Sequence, residues 1–251
     1  MNAFSAEMIK LRRSQAWAVV VLLPLIIAGV GTFNTIASGA ELAEGWRTLW
    51  LRTVVFYGLF PLALGVAVLA SLAWKSEHRG GNWNALMSGP VPSTRIAIAK
   101  AAAVATLTAI MNIVMLAAVV VLGKVVFSLE GMLPSELFAT SALVVVGSLP
   151  VAALQSGLSM AIRSFAVPIA IALVGAGISV FFLTAEVTEA IFVLPYALAT
   201  RATQLASGTF GDSGSLTTGA ALSVLTAAAL LTAVVVAMTG RALDRKDIHV
   251  Q

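Results

Sequence analysis

Two amides and one polar loop are where chemistry stands out in this sequence. Asn112 and Gln155 each sit inside a long apolar run. The loop, "SEHRGGNWNALMSGPVPSTRIAIAK", gathers Glu77, His78, Arg79, Arg95 and Lys100 around Trp83 and the prolines Pro90 and Pro92. An amide inside an apolar helix either bonds a neighbouring helix or meets a polar group of a substrate, and both readings stand for Asn112 and Gln155. The residues that acid–base, nucleophilic or metal chemistry would need are missing. There is no cysteine, so disulfides, thiolate metal sites and thiol catalysis are excluded. The histidines, His78 and His249, lie outside the apolar runs, and those runs contain no Asp. "GLSMA" at Gly157–Ala161 is not a nucleophile elbow, and "GK" at Gly123–Lys124 is followed by Val rather than closing a phosphate loop. No acidic cluster suits a divalent metal. A carrier driven by protons or sodium keeps ionisable groups at mid-membrane depth, and these runs are nearly clean. The chain reads as non-catalytic, and any uphill transport must draw its energy from another protein.

The elements that position these residues follow from composition. Of 251 residues, 59% are hydrophobic and 10% charged, against about 25% charged in soluble domains. A soluble chain of this kind would have no surface to show water. A bilayer crossing takes roughly 20 apolar residues, and six runs qualify, at about 16–36, 53–74, 96–127, 137–162, 165–184 and 217–239. The sequence predicts one all-α integral membrane domain over residues 1–251 with six transmembrane helices. Lys and Arg set its orientation. With the N-terminus inside, only Arg47, Arg52, Lys124 and Arg201 of the 15 basic residues fall outside. Both termini and the 76–95 loop are then cytoplasmic, in a multi-pass protein of the cell membrane. The basic start followed by "ASGA" at Ala37–Ala40 also matches a cleavable signal, which would leave five spans.

Residues 1–15 place Phe4, Met8 and Leu11 on one helical face with Lys10 and Arg13 away from it. This is either a helix lying in the membrane interface or a positive flank of the first span. Residues 185–212 are too polar for a clean span and too apolar for an ordinary loop. They read as an external, partly inserted segment with Phe192, Tyr196 and Phe210 at headgroup level.

Within the polar loop, "NWNALM" (Asn82–Met87) can form a short helix capped by Asn82, with Trp83, Leu86 and Met87 on one face. Gly80–Gly81 frees the chain before it, and Pro90 and Pro92 stop it. Its shape suits docking to a cytoplasmic partner; resting on lipid is the alternative.

At these residues the chain resembles the ABC-2-type permeases of ABC transporters. Their loop between the second and third spans carries Glu, Gly-Thr, Leu, Pro, Arg and Lys, which correspond here to Glu77, Gly81-Asn82, Leu86, Pro90, Arg95 and Lys100. Asn82 departs from the usual Thr. "SMAIRSFAVPIAI" (Ser159–Ile171) is similar to their inner turn between the fourth and fifth spans. Length, an N-terminal interfacial helix, six spans and a partly inserted segment before the last span are similar across the whole chain. The texture is most similar to permeases of lantibiotic immunity and bacitracin resistance. The resemblance implies a membrane subunit of a bacterial ATP-driven exporter, in the ABC-2 (type V exporter-like) fold, facing a second permease, identical or related. Two separately encoded ABC ATPases would sit below and bind the ATP and Mg, while this chain binds no cofactor. Glu77, Gly81, Asn82, Trp83, Leu86, Met87, Pro90, Arg95 and Lys100 would form or steady the ATPase-coupling helix, with Glu77 paired to Arg95. Asn112 and Gln155 would line the path of an amphipathic substrate, and nucleic acid is not expected as a partner. A secondary carrier or a non-transporting membrane scaffold is the alternative.

Overall fold

The computed structural model describes residues 3–39, 41–78, 91–209 and 211–247, with side chains described through residue 245 of the last helix. Gly81, Asn82, Trp83, Leu86, Met87 and Pro90 lie outside the described residues, as do Arg79 and Phe210. Among the described residues the fold is all-α. Five helices are long and apolar enough to cross a membrane, or six when a bent pair is taken as one span.

Helix α1 (Ala3–Arg12) precedes the first crossing helix, α2 (Ala16–Ala37). The second crossing is broken into α3 (Trp46–Leu59) and α4 (Pro61–Lys75), which meet at 46°. Pro61 supplies no N–H to the preceding turn, and Phe60 leaves helical geometry at φ −134°. One π-turn, Leu51–Val55, also loosens α3. The helix starts at Trp46, ahead of the apolar run at Thr53, because the first turns are held by side chains: Trp46 Nε1 donates to the Glu130 carbonyl at 2.9 Å. Helix α5 (Ser93–Val125) has 33 residues, about 50 Å at 1.5 Å per residue. It exceeds the roughly 30 Å of the hydrocarbon layer. Helices α6 (Ser135–Gly147) and α7 (Leu149–Ala161) form one nearly continuous crossing, followed by α8 (Ala166–Thr184). The last crossing is α10 (Thr218–Asp247), and between α8 and α10 lies α9 (Pro195–Gln204).

Helix α9 is a short helix buried among the crossing helices. It packs against α3, α6, α7, α8 and α10, and of its ten residues only Arg201 escapes burial. Tyr196, which the sequence places at headgroup level, has its ring buried against Gly175, the midpoint of α8. Phe192, in the 3-10 turn Thr188–Phe192 leading to α9, is exposed. Such insertion requires satisfied backbone groups and close neighbours. The Thr200 hydroxyl donates to the Gly58 carbonyl at 2.9 Å. A Cβ on Gly58 would overlap Thr203, and one on Gly175 would overlap the Tyr196 ring. The return leg is tied at the end opposite the termini. The Arg47 guanidinium donates to the Gly214 carbonyl at 2.7 Å and pairs with Glu136, while Arg201 pairs with Asp212 at 3.5 Å.

Gly58→Ala and Gly175→Ala should each lower the thermal stability of the detergent-purified protein by about 1–3 kcal/mol, the usual range for overpacking. Gly177→Ala should change it little, because its Cβ would stop 3.8 Å from Phe60. Equal melting of all three variants would refute the tight seat of α9.

Candidate functional site

The polar loop leaves α4 through Ser76, Glu77 and His78 and returns at Pro92, the N-cap of α5. Its outgoing stem is fastened by a closed ring of four charges. Lys10 Nζ reaches Glu7 Oε1 and Glu77 Oε1, both at 2.8 Å. Lys100 Nζ reaches Glu7 Oε2 at 2.6 Å and Glu77 Oε1 at 2.7 Å. Cations and anions alternate and cancel. Lys100 is fully buried, and its remaining proton goes to the Ala73 carbonyl at 3.0 Å. An ammonium has three protons to donate, so every one is used. The Trp74 ring adds a face 4.8 Å from Nζ, and Trp74 is itself held by donating from Nε1 to Ser156 Oγ at 3.0 Å. The ring thus joins α1, the loop stem and α5. His78 extends the hold to α7, with Nε2 2.7 Å from the Ser159 carbonyl.

Burial alone would push Glu77 toward its neutral form, but the Lys100 charge and the hydrogen bonds from Lys10 and Lys100 outweigh it and hold the carboxyl below its ordinary value of 4.5. For Lys10 burial pulls downward, and the hydrogen bonds and charges of Glu7 and Glu77 prevail, so the ammonium lies above its ordinary 10.5.

Of the loop residues named from sequence, the structure brings Glu77 and Lys100 together. It does not join Glu77 to Arg95, which is exposed and forms no ion pair among the described residues. The cause is helical phase: Lys100 lies five positions further along α5, about 140° around it at 3.6 residues per turn. Glu7 was not singled out by its sequence, and Lys10 reads there as a residue facing lipid headgroups. The available signals were an acid four positions before Leu11 on the buried side of α1, and a lone Lys inside "IAIAKAAAVA", a placement that demands a partner.

Asn112 and Gln155 have separate surroundings. Gln155 Nε2 donates to Tyr196 Oη at 2.6 Å, linking α7 to α9. Asn112 faces a cavity of about 10 Å³, room for roughly one water. Trp50 and Tyr57 line it too, and Asn112 Nδ2, Trp50 Nε1 and Tyr57 Oη have no partner among the described residues.

The sequence matches the family model of the ABC-2 family transporter proteins over residues 3–179. No curated protein and no solved structure matches it. The match covers well over half of the chain, which therefore belongs to the ABC-2 family of transporter proteins. Its members are generally non-catalytic membrane subunits, and membership implies an ABC ATPase as partner.

Glu77→Gln should cost about 3–5 kcal/mol, the usual loss when a buried pair is broken. Combining it with Lys100→Met should recover part of that loss in a thermal-melt double-mutant cycle; strict additivity would refute the coupling. The ring also sets a pH window. The Glu77 contribution is present above pH 4.5 and is lost as pH falls through its lowered folded-state value. The Lys10 contribution is complete below 10.5 and is lost as pH rises through its raised value. Melting against pH should show a plateau between these limits, with the acid fall shallower in Glu77→Gln than in the parent protein.

Proposed function

We propose that this ABC-2 family protein is the membrane-spanning permease subunit of an ATP-driven exporter in a bacterial cytoplasmic membrane. The end bearing α1, Lys75, Arg163 and Arg241 faces the cytoplasm, and both termini lie there. Two ABC ATPase subunits dock beneath, and a second permease, identical or related, completes the pore. Gly81–Met87 is the coupling helix, with Trp83, Leu86 and Met87 as its contact face and Pro90 and Arg95 at its exit. The single observation that carries this reading is the charged ring on the stem of that loop. A contact that only rested on lipid would not need a rigid root. Here a push on the loop is delivered through Glu77 to α1 and α5 together, and through His78 to α7. ATP and Mg are bound by the partner.

The cargo is amphipathic: a lantibiotic or other peptide antibiotic, a drug or a lipid-like molecule, exported for self-protection or resistance. Support comes from crossing helices nearly free of charge, which suit a greasy solute and suit an ion poorly. Asn112 and Gln155, amides within crossing helices, are the residues assigned to its path. Gln155 acts through Tyr196, so a cargo that displaces α9 would be felt at α7.

Pull-down of the tagged protein from mild detergent tests this. An ABC ATPase should copurify, and Trp83→Ala with Leu86→Asp should reduce its recovery at least tenfold while the permease stays inserted. An intact, folded permease with no ATPase partner would overturn the reading in favour of a secondary carrier or a scaffold.

A further inference from the structure

We propose that the cavity between the ends of α4, α7 and α8 binds the phosphate of an anionic phospholipid. The cavity holds about 220 Å³ and is lined by Ser71, Lys75, His78, Ser159, Arg163 and Phe165, among others. Its floor is polar and buried: the Ser71 and Ser159 hydroxyls lie 3.3 Å apart. Among the described residues its two strong cations have no counter-charge. No carboxylate lines it, and neither Lys75 nor Arg163 has an ion-pair or hydrogen-bond partner among the described residues. This sets it apart from the ring, where Lys10 and Lys100 are neutralised by two acids. Two cations beside hydroxyl donors are the chemistry that holds a phosphate oxygen. His78 is held in place beside them, its Nε2 lying 2.7 Å from the Ser159 carbonyl.

The hydrocarbon half of the ligand follows from what leads away from the mouth. Phe165 is exposed there, and two residues on begins a stripe along α8: Val167, Ile171, Val174 and Ile178, all exposed at helical spacing. The cavity accommodates a phosphate and its glycerol but not acyl chains, which lie on this stripe. A polar pocket that continues into an apolar helix face selects a phosphate carried on a lipid over a free anion. The site depends on neither the ATPase partner nor the direction of transport.

The test uses the full-length protein in mild detergent, titrated with phosphatidylglycerol, phosphatidylcholine or inorganic phosphate, with thermal stabilisation as the readout. Phosphatidylglycerol should stabilise at much lower concentration than phosphatidylcholine, and inorganic phosphate should neither stabilise nor compete. Each cation near an anionic headgroup is worth about 1 kcal/mol, so Lys75→Gln/Arg163→Gln should raise the half-saturating phosphatidylglycerol concentration about 30-fold. Arg163→Gln alone should raise it about fivefold; this separates the site from the neighbouring cavity beside Lys10 and Arg13, which Lys75 also borders. Lys75→Arg/Arg163→Lys should retain binding. The substituted side chains are exposed, and unchanged melting without lipid shows that the variants fold. An equal loss in Arg12→Gln/Arg241→Gln would mean diffuse surface charge and overturn the proposal. Residue-dependent stabilisation by inorganic phosphate would overturn the lipid assignment. Wild-type lipid response in Lys75→Gln/Arg163→Gln, with loss of a copurifying ATPase, would assign the surface to that protein instead.

Discussion

Lys100 is the constraint around which the terminal-bearing end of this protein is arranged. An ammonium with no exposed surface is tolerated only when its charge is matched and its three protons are placed. Glu7, Glu77 and the Ala73 carbonyl receive those protons, and the Trp74 face lies against the remaining side. The partners come from two other parts of the chain, α1 and the end of α4 with its loop stem, so satisfying one side chain on α5 fixes three segments. The second cation, Lys10, brings the carboxylates into balance and closes the circuit. The stem of the polar loop is thereby tied at Glu77 to α1 and α5.

At the opposite end the organising principle is closeness rather than charge. Helix α9 enters between crossing helices because Gly58 and Gly175 leave room for Thr203 and Tyr196. Two of its polar side chains then bond to what they meet: Thr200 to a backbone carbonyl, Tyr196 to Gln155. Arg47 bridges the return leg to Glu136. The two ends therefore differ in kind. One is locked by a few ionic contacts that a change in ligation could rearrange as a unit. The other is a close-packed insertion that can move only if its neighbours part.

Much of the membrane fold was legible because hydropathy reports crossings directly, and the family was legible from Glu77, Pro90, Arg95 and Lys100 in register. Partner choice within the site was not. Periodicity shows which way Arg95 and Lys100 point relative to one another, but not which lies against Glu77, since that depends on how α1 folds back. Glu7 was hidden by its setting: one acid in a short basic helix reads as surface until Lys100 is found beside it. The depth of α9 was hidden for the opposite reason. Its Thr, Arg and Gln residues lower its apolarity, yet Tyr196, Thr200 and Thr203 are buried with hydrogen-bond partners, so composition underestimates its burial.

The order of residues along the chain gives the ring a place in biosynthesis. Glu7, Lys10 and Glu77 all precede Lys100, so during synthesis both carboxylates emerge before the cation that must be buried between them. Lys100 arrives with α5 as the last member and finds its counter-ions already made. Until then Lys10 and Lys100 each count as full positive charges for the insertion machinery; afterwards neither contributes net charge. The residues that help fix the orientation of the nascent chain are thus the same ones whose neutralisation completes the folded end.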